Sequence, residues 1–221
     1  MALDAKVIFT PTVLLTGFDA FAGASVNPSW LAVRALDGER LAGHQLVAAQ
    51  IPTAFSVSLQ TLKRLMQKHK PAVVICVGQA GGRSSLSLER IAININDASI
   101  ADNAGARPVD RPVVAGGPAA YFSTLPIKAM LSALQQQDIP AEVSQTAGTF
   151  VCNHLFYGLM HMLAKQPGTK RARGGFIHLP YLPEQGDPYL QLAVMVQGLR
   201  SAVEAALVTN TDITQSAGQI S

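Results

Sequence analysis

Charge is scarce in this chain, and so are cysteine and tryptophan. Only 14% of the 221 residues are Asp, Glu, Lys or Arg, and the formal net charge is +3. The basic residues are scattered, so no stripe suited to nucleic acid forms, and Arg171 and Arg173 beside Lys170 read as a solvated loop. Two cysteines make no disulfide framework and fit a reducing, cytoplasmic setting. No apolar run reaches the roughly 18 residues of a membrane-spanning helix. The first residues also lack a signal-peptide pattern, because Asp4 and Lys6 precede only a short apolar patch broken by Thr10 and Pro11. What is there is a 48% hydrophobic chain, enough for one full core. It reads as a single domain over 1–221, without repeats or linkers and with a polar, frayed tail at 209–221.

Strand-like and helix-like segments alternate along it. Val13 to Thr16 reads as a strand entering Gly17, and Asn27-Pro28 as the cap and first residue of a helix to about Leu36. Leu46 to Ile51 reads as a strand. Ser56 to Lys70 is an amphipathic helix, with Leu59, Leu62, Leu65 and Met66 on one side and Pro71 as its stop. Val73 to Val77 is apolar without alternation, as in a strand buried on both faces. Ile91, Ile93 and Ile95 alternate with Ala92, Asn94 and Asn96, as in a half-buried strand. Residues 97–120 carry Gly105, Pro108, Pro112, Gly116, Gly117 and Pro118 without periodicity, a loop long enough to be functional. Then follow a helix over Ile127 to Gln137, a short strand near Val143, and a helix that starts around Cys152 and ends at Pro167-Gly168. A strand at Gly175 to Leu179 and a helix from about Tyr189 to Val208 complete the chain. The pattern predicts a single-domain α/β/α sandwich with a largely parallel central sheet, of the phosphorylase or hydrolase kind.

The chemistry concentrates around Cys152. Thr146, Ala147, Gly148 and Thr149 are turn-prone, and Leu155, Phe156, Leu159, Met160 and Leu163 follow at helical spacing. Cys152 therefore falls in a helix's first turn, where free N–H groups and the dipole favour a thiolate nucleophile, although a first-turn cysteine can also simply pack. Cys76, inside Val-Val-Ile-Cys-Val, reads as a buried hydrophobe. Among five histidines, His44 and His69 read as surface residues, and His154 and His161 share the Cys152 helix without a third metal ligand at suitable spacing. His178, at the end of a strand, is the best base available, since open α/β sheets place their sites at strand ends. Spacing does not choose its acid among Glu89, Asp97 and Asp102. Gly78-Gln-Ala-Gly-Gly-Arg83 is either a phosphate cradle or a tight turn that brings Gln79 to the mouth of the sheet. Phe18 and Phe21 are either core or pocket walls.

Several long segments resemble the pyrrolidone carboxyl peptidase (pyroglutamyl peptidase I) family. They are Leu14-Leu-Thr-Gly-Phe-Asp-Ala-Phe21, Asn27-Pro-Ser-Trp30, Gly78 to Arg83, Glu89-Arg-Ile-Ala-Ile-Asn94, Gly117-Pro-Ala-Ala-Tyr121, Leu125-Pro-Ile-Lys128, the Cys152 segment and Gly175-Phe-Ile-His-Leu-Pro-Tyr181. The resemblance implies a Glu–Cys–His triad on Glu89, Cys152 and His178. It implies a pyroglutamyl pocket lined by Phe18, Phe21, Asn27, Gln79, Phe150 and Val151. It also implies a cytoplasmic homotetramer that acts on peptides with N-terminal pyroglutamate and needs neither metal nor cofactor. The sequence departs from the family at Ala20 and Ser99, where Pro and Arg are usual, and at Ala22 and Ala101, where Gly and Pro are usual.

The implied chemistry suits such a pocket. Pyroglutamate is a neutral lactam, so aromatic walls plus Asn27 or Gln79 would hold it, and polar groups left unpaired would reject proline. Two other classes remain open at this point: a nucleoside phosphorylase holding phosphate at 78–83, and a small-molecule binder without a competent triad.

Overall fold

A computed structural model of the protein describes residues 10–165 and 172–218. The expected helix end at Pro167-Gly168, Lys170 with Arg171, Asp4 and Lys6 lie outside the described residues, as do the last three residues of the tail.

The strands are β1 (Thr12–Phe18), β2 (Arg40–Leu41), β3 (His44–Ile51), β4 (Val73–Gln79), β5 (Leu86–Glu89), β6 (Ile91–Ile93), β7 (Ala120–Phe122), β8 (Ala141–Ser144) and β9 (Arg173–Leu179). The helices are α1 (Pro28–Ala35), α2 (Phe55–His69), α3 (Ile127–Gln135), α4 (Val151–Lys165) and α5 (Leu192–Val208). Seven strands form one sheet in the order β2-β3-β1-β4-β9-β5-β8. Within it β3, β1, β4 and β9 run parallel, while β5 pairs antiparallel with β9 and parallel with β8. None of the helices described is long and apolar enough to cross a membrane.

Alternating side chains build a core on each face of the sheet. Val13, Leu15, Val73, Ile75, Val77, Ile177 and Leu179 pack with α1, α3 and α5, whereas Leu14, Val74, Cys76 and Phe176 pack with α2 and α4. The three layers are those expected of an α/β/α sandwich. In α1 the side chain of Asn27 accepts from Ser29 N–H and Pro28 takes the first turn, as the sequence predicts. Lys70, rather than Pro71 alone, ends α2 by turning into the left-handed region at φ 44°.

Three local expectations change. β5 is not predicted by periodicity, because four residues are too short to show it. The half-buried strand expected from Ile91 to Ile95 is β6, which ends at Ile93; Ala92 is its buried residue, and the small side chain lets the strand lie close against α4. β6 pairs only with β7, in a separate two-stranded sheet. The final helix starts at Leu192, since Tyr189 is held extended by a bridge to Tyr181.

Candidate active site

Cys152 is the second residue of α4. His154 N–H donates to the Phe150 carbonyl, so the amides of residues 151–153 precede the first helical hydrogen bond and remain available as donors. The sulfur lies against Gly78 on β4: a β-carbon there would stand 2.9 Å from Cys152 Sγ and 2.8 Å from the Phe176 ring. Only glycine permits that approach. Burial in this apolar setting pushes the Cys152 thiol up to about 12; Glu89 adds to the rise and Arg83 opposes it. The first-turn position is as predicted. Burial thus opposes the ionisation that the helix terminus favours.

The candidate base stands next to that glycine. Gly78 and His178 are in-register neighbours on β4 and β9, so the imidazole lies on the same face of the sheet as the thiol that approaches Gly78. His178 is 3% exposed, and its Nδ1 lies 2.7 Å from Glu89 Oε1. An ionised carboxylate only accepts, so Nδ1 carries the proton and Nε2 is the basic nitrogen. Glu89 ends β5, fully buried, and also takes a 2.7 Å hydrogen bond from Arg83 Nη1.

The rival acid has another task. Asp102 Oδ2 accepts from Phe55 N–H at 2.8 Å, capping α2, whose own N-cap residue is Ala54. Its Oδ1 accepts from the amides of Ala104 and Ala106 and closes the local turn. Asp97 is exposed. His154 is buried with Nδ1 3.1 Å from Asn96 Oδ1, and desolvation pulls its pKa down to about 4. His161 bonds the Tyr121 hydroxyl instead. No cluster of three metal-ligating side chains occurs among the described residues.

The six expected pocket residues separate into two sets. Phe21 and Phe150 are half-buried and tilted against each other at 6.2 Å, with Phe55 edge-on to Phe150 at 5.4 Å. Gln79 is half-buried, accepts from Gln185, and lines a cavity of about 580 Å³ with Phe21, Ile100, Tyr181 and Glu184. By contrast, Phe18 and Val151 are core residues. The Asn27 side chain is committed to the Asp19 carbonyl and to both the amide and hydroxyl of Ser29. That leaves Gln79 as the polar side chain better placed to meet a lactam.

Several organising residues escape sequence reasoning. Asp19 accepts from Thr53 N–H and Asn103, tying the central loop to the end of β1. The fully buried Asn153 exchanges hydrogen bonds with Ile93 and donates to the Ile95 carbonyl, fastening β6 to α4 beside Cys152. Ala22, where the family usually has Gly, sits in the left-handed region at φ 52°, a conformation that favours glycine. Ser99 and Ala101 are exposed. The turn 78–83 is no open phosphate cradle, since Tyr181 lies directly over Gly81 and Arg83 folds back onto Glu89.

Residues 11–209 match the model of the family described as pyroglutamyl peptidase. The pyrrolidone-carboxylate peptidase of Cupriavidus taiwanensis is 57% identical over 216 residues, covering 95% of this chain and 99% of that protein. The crystal structure of pyroglutamyl peptidase I from Bacillus amyloliquefaciens superposes with a TM-score of 0.91 at 48% identity, covering 94% of this chain and all of that one. A mutant pyrrolidone carboxyl peptidase from the hyperthermophile Pyrococcus furiosus gives 0.85 at 37% identity, covering 89% of this chain and 98% of its own.

Proposed function

The chain belongs to the pyroglutamyl peptidase family and is a cysteine hydrolase that removes N-terminal pyroglutamate from peptides, and on that premise we propose that Cys152, His178 and Glu89 perform the reaction. The observation that carries the assignment is the contact of the Cys152 sulfur with Gly78, the in-register neighbour of a histidine whose Nδ1 is held 2.7 Å from a buried carboxylate.

The thiol proton passes to His178 Nε2 as sulfur attacks the carbonyl that joins pyroglutamate to the next residue. Glu89 keeps the imidazole in the reactive tautomer and stabilises the imidazolium that forms. The N–H of Cys152, ahead of the first helical hydrogen bond, donates to the oxyanion. The imidazolium then protonates the departing amine, leaving a thioester. Water, deprotonated by His178, hydrolyses that thioester and frees pyroglutamate and the thiol.

Phe21 and Phe150 supply the aromatic walls and Gln79 the polar contact, with Phe18, Asn27 and Val151 shaping the pocket from behind. The whole chain acts as one catalytic domain, in the cytoplasm and as a homotetramer. A thiol that must stay reduced to react favours a reducing compartment, and the tetramer follows the family resemblance. Neither nucleic acid nor membrane is a partner in this reading.

A pyroglutamyl amide of a fluorescent amine tests it. Hydrolysis should occur, stop after thiol alkylation, and be absent with the prolyl analogue. Turnover that survives complete alkylation of Cys152 would remove the cysteine mechanism.

A further inference from the structure

Glu89 is fully buried, yet two donors converge on one of its oxygens: Arg83 Nη1 and His178 Nδ1, each 2.7 Å from Oε1. Among the described residues nothing donates to Oε2. A carboxylate withdrawn from water is costly unless its charge is met, and a neutral imidazole offers a hydrogen bond but no charge. Arg83 supplies the permanent cation. Its guanidinium also donates from Nη2 to the Thr146 carbonyl at 3.0 Å and reaches Ser144 Oγ at 3.5 Å. Ser144 Oγ closes onto the same Thr146 carbonyl at 3.0 Å. These residues open the connection from β8 to α4, the segment that delivers Cys152. One guanidinium thus joins the acid to the loop that carries the nucleophile. The glycine-rich turn explains how it gets there, since the turn begins beside the thiol at Gly78 and ends at Arg83.

We propose that Arg83 is a positioning residue of the reaction, fixing the Glu89 carboxylate on His178 and locking it to the Thr146 loop; this rests on the triad proposed above. Lysine cannot replace it fully, because a single ammonium does not reproduce the planar fork that spans Glu89 and Thr146. The Arg83 charge also opposes the rise of the Cys152 thiol, so its loss has a signature beyond structure.

The experiment compares Arg83→Met, Arg83→Lys, Glu89→Gln and the Arg83→Met/Glu89→Gln pair on a pyroglutamyl fluorogenic amide. The pH dependence of Cys152 alkylation by iodoacetamide is measured in a Cys76→Ser background. Arg83→Met should lower kcat on the order of 10-fold or more while KM stays within about twofold. Its alkylation profile should move to higher pH, and Arg83→Lys should recover part of kcat. The double variant should be no slower than Glu89→Gln alone, as expected of groups acting through one another. Wild-type kcat with an unmoved alkylation profile in Arg83→Met, or losses that multiply in the double variant, would overturn the proposal. If Arg83→Met does not fold, Arg83→Lys decides: a kcat loss that vanishes in the Glu89→Gln background supports the role, and one that persists there refutes it. Normal turnover by Glu89→Gln would bring down the triad and Arg83 with it, whereas a normal Arg83→Met beside an inactive Glu89→Gln removes Arg83 alone.

Discussion

The side chain that Gly78 lacks is the space that the Cys152 sulfur fills. A β-carbon at 78 would lie 2.9 Å from Sγ and 2.8 Å from Phe176 Cζ, so one of these side chains or the strand would have to shift. Gly78→Ala is therefore expected to displace the thiol from His178 and to lower kcat strongly, at a stability cost of about 1–3 kcal/mol from overpacking. Steady-state kinetics alongside thermal unfolding separate the two effects. Wild-type kcat in a folded Gly78→Ala protein would contradict the placement of the sulfur.

Cys152→Ser is expected to reduce hydrolysis to background while the protein stays folded, because a serine hydroxyl is far harder to ionise and a poorer nucleophile. Cys76→Ser should retain activity at a cost of about 1–3 kcal/mol for a buried hydroxyl. Cys76 lies in the core with no exposure, whereas Cys152 is only partly buried. Mass spectrometry of the folded, alkylated protein should accordingly find label on Cys152 and none on Cys76.

Glu89→Gln and Asp102→Asn distinguish the catalytic acid from the structural one. Glu89→Gln should lower kcat on the order of 100-fold or more with little change in KM. Asp102→Asn weakens the cap on α2 and should cost about 1 kcal/mol of stability while kcat keeps its order of magnitude. Collapse of turnover in Asp102→Asn beside a near-normal Glu89→Gln would transfer the acid role.

His154 gives the protein an acid-sensitive element. Desolvation lowers its pKa from 6.5 to about 4 in the folded state. The depressed value means that its contribution is intact above pH 6.5 and is lost as pH falls toward 4, where the unfolded chain binds the proton first. At full titration the loss amounts to roughly 3 kcal/mol. His154→Gln should flatten the decline of unfolding free energy between pH 6.5 and 4, as read by denaturant titrations at several pH values. An unchanged slope would exclude His154 as its source.

Activity is expected to survive exhaustive dialysis against a chelator, since the proposed chemistry needs only a thiol, an imidazole and a carboxylate. Loss of turnover that zinc restores would bring His154 and His161 back into consideration.

Much of this protein is legible locally. The both-face apolar run at Val73–Val77, the Asn27-Pro28 helix start and the turn-prone approach to Cys152 each rest on a few adjacent residues, and the structure contains all three. Spacing also singles out Cys152 and His178, and the resemblance to a family supplies Glu89. From the residues alone Glu89 and Asp102 are equivalent, two acids 13 positions apart near a featureless loop. Tertiary structure separates them. Antiparallel pairing of β5 with β9 brings Glu89 within 2.7 Å of His178, while the fold of the central loop commits Asp102 to the Phe55 amide that opens α2. The same holds for the thiol. Its place in a first turn is written in neighbouring residues and argues for a thiolate, but its ionisation depends on burial against Gly78 and on Glu89 and Arg83, which the chain brings together from positions more than 60 residues away. Backbone propensity and periodicity act over a few residues and can be read in order along the chain. Desolvation and charge act through space, and only the closed sheet decides which groups share it.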